Sequence, residues 1–155
     1  MTERTAGAPL AAGATLRGMF LQNVQFTKQD EWDHLIEEGK GITTNFSIRA
    51  VRFPNGVVGV EFGVRIEEEG ILSLRVDYRV EFDINNPPAD PASLERIQRD
   101  AAAKLAPVVV FPYIRETIQS LTAKAGKTPI ILPVINIGAA FKPENIEFED
   151  VEEDE

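Results

Sequence analysis

The chain has 155 residues, 43% of them apolar, with 25 acidic against 16 basic side chains and no cysteine. That length and apolar share suit one domain with its own hydrophobic core and exclude a wholly disordered chain. The lack of cysteine removes disulfides, thiolate nucleophiles and thiolate zinc sites together, and fits a cytoplasmic protein.

Residues 1–15, rich in Ala, Gly and Thr, read as a loose leader. They lack the long apolar core of a secretory signal, and no apolar run in the chain reaches the roughly 18 residues of a membrane-spanning helix. A first strand is expected over 16–27. Residues 28–41 hold charged side chains around Trp32, Leu35 and Ile36 and end in Gly39-Lys40-Gly41. They read as a long crossover loop with a helical turn. Alternation resumes over 43–53, where the change of parity between Ile48 and Val51 predicts a bulge near Ala50.

Pro54-Asn55-Gly56 is a hairpin signal, because Asn-Gly supplies the positive φ angles of a tight turn. Val58, Val60, Phe62, Val64 and Ile66 then alternate without fault, Glu67-Glu68-Glu69-Gly70 turns the chain, and Leu72, Leu74, Val76, Tyr78, Val80 and Phe82 repeat the pattern. Period two with one polar face predicts an antiparallel sheet covered on one side. Asp90 and Pro91 make a good N-cap and first helical residue, so a helix is expected over 91–105 on the stripe Leu94, Ile97, Ala101 and Leu105. Pro107 opens a second helix with the stripe Phe111, Ile114, Ile118 and Leu121, bent at Pro112 and stopped at Gly126. Residues 127–136 form a short extended piece before a weak last turn. The fold class is therefore α+β: a four-stranded antiparallel sheet with helices packed on one face.

Eight of the acidic residues lie in 144–155, which holds no basic one; the remainder carries 17 acidic against 16 basic. The terminal run reads as a disordered, solvated tail. With no basic cluster, nucleic acid is a poor partner.

Chemistry is sparse. His34 is the single histidine and sits in a charged loop, so neither a metal site nor a Ser-His-Asp arrangement is expected. Lys124-Ala125-Gly126-Lys127-Thr128 lacks the upstream glycine of a phosphate-binding loop. No cofactor, metal or catalytic residue is expected. What remains is apolar surface of the kind that binds polypeptide.

The stretch Ala106-Pro107-Val108-Val109-Val110-Phe111-Pro112-Tyr113-Ile114-Arg115-Glu116-Thr117 resembles the helix opening of the SecB family of export chaperones, which carries a Phe-Pro-Tyr-Ala-Arg-Glu run. Downstream, Leu132-Pro133-Val134-Ile135-Asn136-Ile137-Gly138-Ala139-Ala140-Phe141 is similar to that family's Pro-Ile-Asn-Phe-Asp-Ala-Leu-Tyr sequel, at the expected separation. The resemblance covers roughly 16–141, and 16–143 is read from it as a SecB-like chaperone domain between leader and tail. It implies a homotetramer, a dimer of dimers with long helices between the dimers, which would put Phe111, Ile114, Ile118 and Leu121 at core and oligomer interface. It also implies an ATP-independent holding chaperone that binds unfolded preproteins and passes them to the SecA motor. Phe26, Trp32, Leu35 and Ile36 are then the expected client-binding residues, and Glu147, Glu149, Asp150 and Glu152 the expected partner-docking residues.

Three departures qualify the implication. The family's Gly-rich last strand is here Val76-Asp77-Tyr78-Arg79-Val80; Arg75 and Arg79 interrupt the acidity of the outer sheet face; Ile137 and Gly138 replace the usual Phe and Asp. They bear on SecA docking more than on fold or client binding. A SecB-like chaperone dedicated to one client, such as the antitoxin of a toxin–antitoxin–chaperone system, is the alternative. A small-molecule or catalytic domain on the concave side of the sheet is a third reading, weakened by the lack of convergent titratable residues.

Overall fold

The period-two segments become four long strands: β2 (Ala14–Lys28), β3 (Thr44–Arg52), β4 (Val58–Glu68) and β5 (Leu72–Ile84). The chain is described here by a computed structural model over residues 9–11, 13–133 and 135–152. The sheet among these residues has six strands rather than the expected four, because short strands β1 (Pro9–Ala11) and β6 (Phe148–Asp150) are added at its two edges. The order is β1-β2-β5-β4-β3-β6; every neighbouring pair is antiparallel except β3–β6. The expected leader therefore gives way at residues 9–11 and 14–15, which are strand; residues 1–8 and 12 lie outside the described ones.

No bulge occurs near Ala50, since β3 keeps one register with β4 from Thr44 to Arg52. The parity change has another cause. Gly59, opposite Val51, leaves room on the outer face, and Val51, Phe53 and the Arg79 guanidinium close over it. The apolar count thus switches face without any break in the backbone. The register shifts instead in β2, between Leu16 and Gly18 and between Leu21 and Asn23.

Two separate helices were expected; one continuous rod forms. Helix α2 (Pro91–Asp100) starts at Asp90, whose carboxylate accepts from the Ser93 hydroxyl at 2.7 Å and the Ser93 N–H at 3.2 Å. Those bonds hold the Asp90 carboxyl below its ordinary range. A π-helical turn (Ala101–Leu105) links α2 to α3 (Ala106–Ala125). Pro107 has no N–H to return to the preceding turn, so that turn must bond differently. Ala101, Ala102 and Ala103 are buried there, and their small side chains let the rod lie close on the sheet.

Helix α3 lies against β4 and β5. The inward rows Val60, Phe62, Val64 and Ile66 and Leu72 to Phe82 meet Val110, Ile114 and Ile118, all buried. At one flank, Phe46, Phe62, Phe111 and Phe141 stack with centroids 5.2 to 6.3 Å apart.

Candidate binding groove

Two segments that belong to no strand come together at one end of the sheet. The crossover loop carries α1 (Asp33–Glu37), a single turn followed by Gly39 and Gly41, both in the left-handed region with φ of 69°. Those glycines let the loop double back, with Gly41 N–H donating to Leu35 O at 3.1 Å. Opposite it, the extended piece after α3 is anchored from within. Thr122, fully buried, donates to Ile118 O and accepts the Ile130 N–H, each at 2.7 Å.

Trp32 ties the two segments together. Its ring is fully buried, and its Nε1–H donates to Thr128 O at 2.7 Å. Phe26 packs edge-on against it at 6.3 Å, and the Lys28 ammonium lies 5.5 Å from its centroid while donating to Ala125 O at 2.6 Å. Gly126 ends α3 as expected, yet with φ of −136° rather than in the left-handed region. It is required for closeness: a Cβ there would collide with the Trp32 ring.

Between the segments lies an open apolar groove of about 560 Å³, walled by Ile36, Ile42, Pro129, Ile131 and Pro133 and floored towards Thr44, the first residue of β3. Ile36 is 41% exposed and Ile131 52%, unusual for isoleucine side chains with a core available nearby. The groove offers shape and apolar area rather than acid–base chemistry. Among the described residues, no three His, Cys, Asp or Glu side chains come together as a metal site, and no helix is long and apolar enough to cross a membrane.

Of the four expected client-binding residues, only Ile36 lines this groove. Trp32 and Leu35 are buried and Phe26 is half-buried against the core, so the tryptophan supports the groove from behind instead of presenting itself. The residues expected at core and oligomer interface all lie on the core side within the single chain. Phe111, Ile114 and Ile118 are buried against the protomer's own sheet and Leu121 is half-buried beside them. The large apolar side chains that α3 exposes are Val108 and Tyr113. Sequence reasoning missed Ile131 and Ile42; the signal was there, as isoleucines within Pro- and Gly-rich stretches that make no strand.

The terminal run is not uniformly solvated. Residues 148–150 pair in parallel with Ala50, Val51 and Arg52. Arg52 grips Asp150 through two bonds of 2.8 and 3.0 Å, Arg49 meets Glu149 at 2.5 Å, and Ile146 is buried. The bond from Arg49 keeps the Glu149 carboxyl below its ordinary range. All four expected docking carboxylates are exposed; Glu149 and Asp150 are also paired with arginines of β3.

The architecture is that of a two-layer α+β protein with an apolar groove between a crossover loop and a post-helical extended segment. The chain's fold is like that of a SecB-like chaperone, and short stretches of its sequence are similar to SecB. Over 35 residues it is 51% identical to the protein-export protein SecB of Saccharophagus degradans, a stretch covering 23% of this chain and 21% of that protein. Over 47 residues it is 40% identical to the protein-export protein SecB of Anaplasma marginale, covering 30% and 27%. The chain thus spans roughly a fifth to a quarter of the length of the curated relatives it matches. No family model matches it. Among solved structures, the SecB-like chaperone Rv1957 of Mycobacterium tuberculosis, in complex with a ChAD peptide from the HigA1 antitoxin Rv1956, matches with a TM-score of 0.62 and 22% identity, over 83% of this chain and 96% of that one.

Proposed function

We propose that the protein is an ATP-independent holding chaperone that takes up apolar segments of non-native polypeptides in the groove between residues 36–44 and 128–133. The observation that carries this reading is the exposure of Ile36 and Ile131 on facing walls of an open apolar groove. A folded partner would need a matched surface. An unfolded one needs only extended apolar segments, and several grooves on one assembly then add through effective concentration. No nucleotide or acid–base step enters such binding, so the protein is read as a non-enzyme working in the cytoplasm.

The assembly is read as a homotetramer. Met19, Leu21 and Val24 of β2 fall on the helix side of the sheet by register, yet α3 covers β4 and β5 and leaves Leu21 and Val24 exposed. Tyr113, 52% exposed and stacked 6.3 Å from Tyr78, continues this patch onto α3. A second copy would cover it. Delivery of preproteins to SecA is the main reading of the downstream step. The alternative, a single dedicated client, is favoured by the neighbour solved with an antitoxin peptide.

The test is suppression of aggregation of a chemically unfolded protein on dilution, without nucleotide. The reading expects suppression at a stoichiometric ratio of tetramer to client; aggregation at the uninhibited rate would refute it. Tight binding of one antitoxin peptide beside weak binding of generic clients would select the dedicated reading.

A further inference from the structure

The free edge of β3 begins where the groove ends. Thr44 lines the groove and opens β3, and among the described residues no strand pairs with that edge until β6 arrives at Ala50. Where the terminal segment approaches that pairing, Ile48, Arg49 and Ala50 together with residues 145–149 line a cavity of about 340 Å³. The nine residues of β3 amount to an edge of about 30 Å, of which β6 occupies only the last three positions.

The terminal segment holds this place by modest means. Its backbone is tied by Arg99, which donates to Pro143 O at 3.2 Å and to Ile146 O. Phe148 lies between two guanidiniums, 4.9 Å from that of Arg52 and 5.9 Å from that of Arg99. Glu149 and Asp150 answer Arg49 and Arg52 through exposed ion pairs, which add little and are screened by salt. Only Ile146 is deeply buried. A short strand so held is the kind of element that opens locally while the sheet stays intact.

We propose that residues 143–150 are a removable strap that competes with client for the β3 edge. When it peels away, the edge from Thr44 to Arg52 becomes one continuous pairing surface with the groove. The occupant it fits is an extended segment of a non-native polypeptide with an aromatic residue followed by carboxylates, taking the places of Phe148, Glu149 and Asp150. Main-chain bonds to the edge supply affinity, and the two guanidiniums beside Phe148 with Arg49 set the preference. The strap occupies the site in part of the population and lowers the apparent affinity by that fraction. This rests on the groove being a client site.

The full chain with Arg52→Cys and Asp150→Cys tests it, because these residues are partners in the parallel register and the chain has no other cysteine. Reduced, carboxymethylated α-lactalbumin serves as the unfolded probe. Oxidation locks the strap, and addition of dithiothreitol frees it in the same molecule. The expected result is severalfold tighter binding after reduction, reversed by a peptide of residues 144–152 added in trans. Full chain with Phe148→Ala, which needs no engineered thiol, should likewise bind the probe more tightly than wild type. Equal affinity in the locked and freed states would overturn the strap while leaving the groove reading intact. No binding in either state would overturn both.

Discussion

Trp32 shows how burial can separate a supporting side chain from a presented one. A lone tryptophan in a charged loop needs cover, from the chain itself or from a partner; the cover comes from Gly126 and from the Thr128 carbonyl 96 positions on. Such a pairing leaves no trace in local periodicity. Thr122 is the polar counterpart, joining the last turn of α3 to the groove wall at Ile130. Thr122→Val keeps the volume but leaves the buried Ile130 N–H without an acceptor, which should cost about 1–3 kcal/mol. Chemical denaturation measures that loss. Client binding by the folded fraction should weaken as well, because the wall carrying Ile131 loses its anchor.

The strands were legible because period two is written directly into β4 and β5, where inward positions are buried along nearly their whole length. The helices were legible in position but not in partner. A stripe at helical spacing says that a face is covered without saying by what, and Phe111, Ile114 and Ile118 are covered by the chain's own sheet. The exposed apolar side chains Leu21, Val24 and Tyr113, divided between two elements far apart in sequence, form the surface proposed above for a second copy. Leu21→Glu combined with Tyr113→Glu should shift the mass seen by light scattering from tetramer towards dimer or monomer, with the far-ultraviolet dichroism unchanged. A tetramer that survives both substitutions would move the interface elsewhere.

For the whole molecule, the acidic terminus was read by composition alone, which sees eight carboxylates and no reason to order them. Residues 143–150 are held by Arg49, Arg52 and Arg99, spread over β3 and α2 and brought to one edge only by the fold. The groove has the same character: its walls are two segments without regular structure, placed face to face by a helix that crosses the sheet between them in sequence. The SecB-like resemblance named the family of folds, and the isoleucines that the fold exposes carry the proposal for the client surface. The most direct test of that surface is the affinity of full-length Ile36→Asp/Ile131→Asp for reduced, carboxymethylated α-lactalbumin, with Gln25→Ala on the outer sheet face as control. Binding through the groove predicts a loss of at least about tenfold in the double variant, a change of 1.4 kcal/mol or more, with unaltered thermal stability and a control that binds as wild type does. Wild-type affinity in the double variant would contradict the groove as the client site.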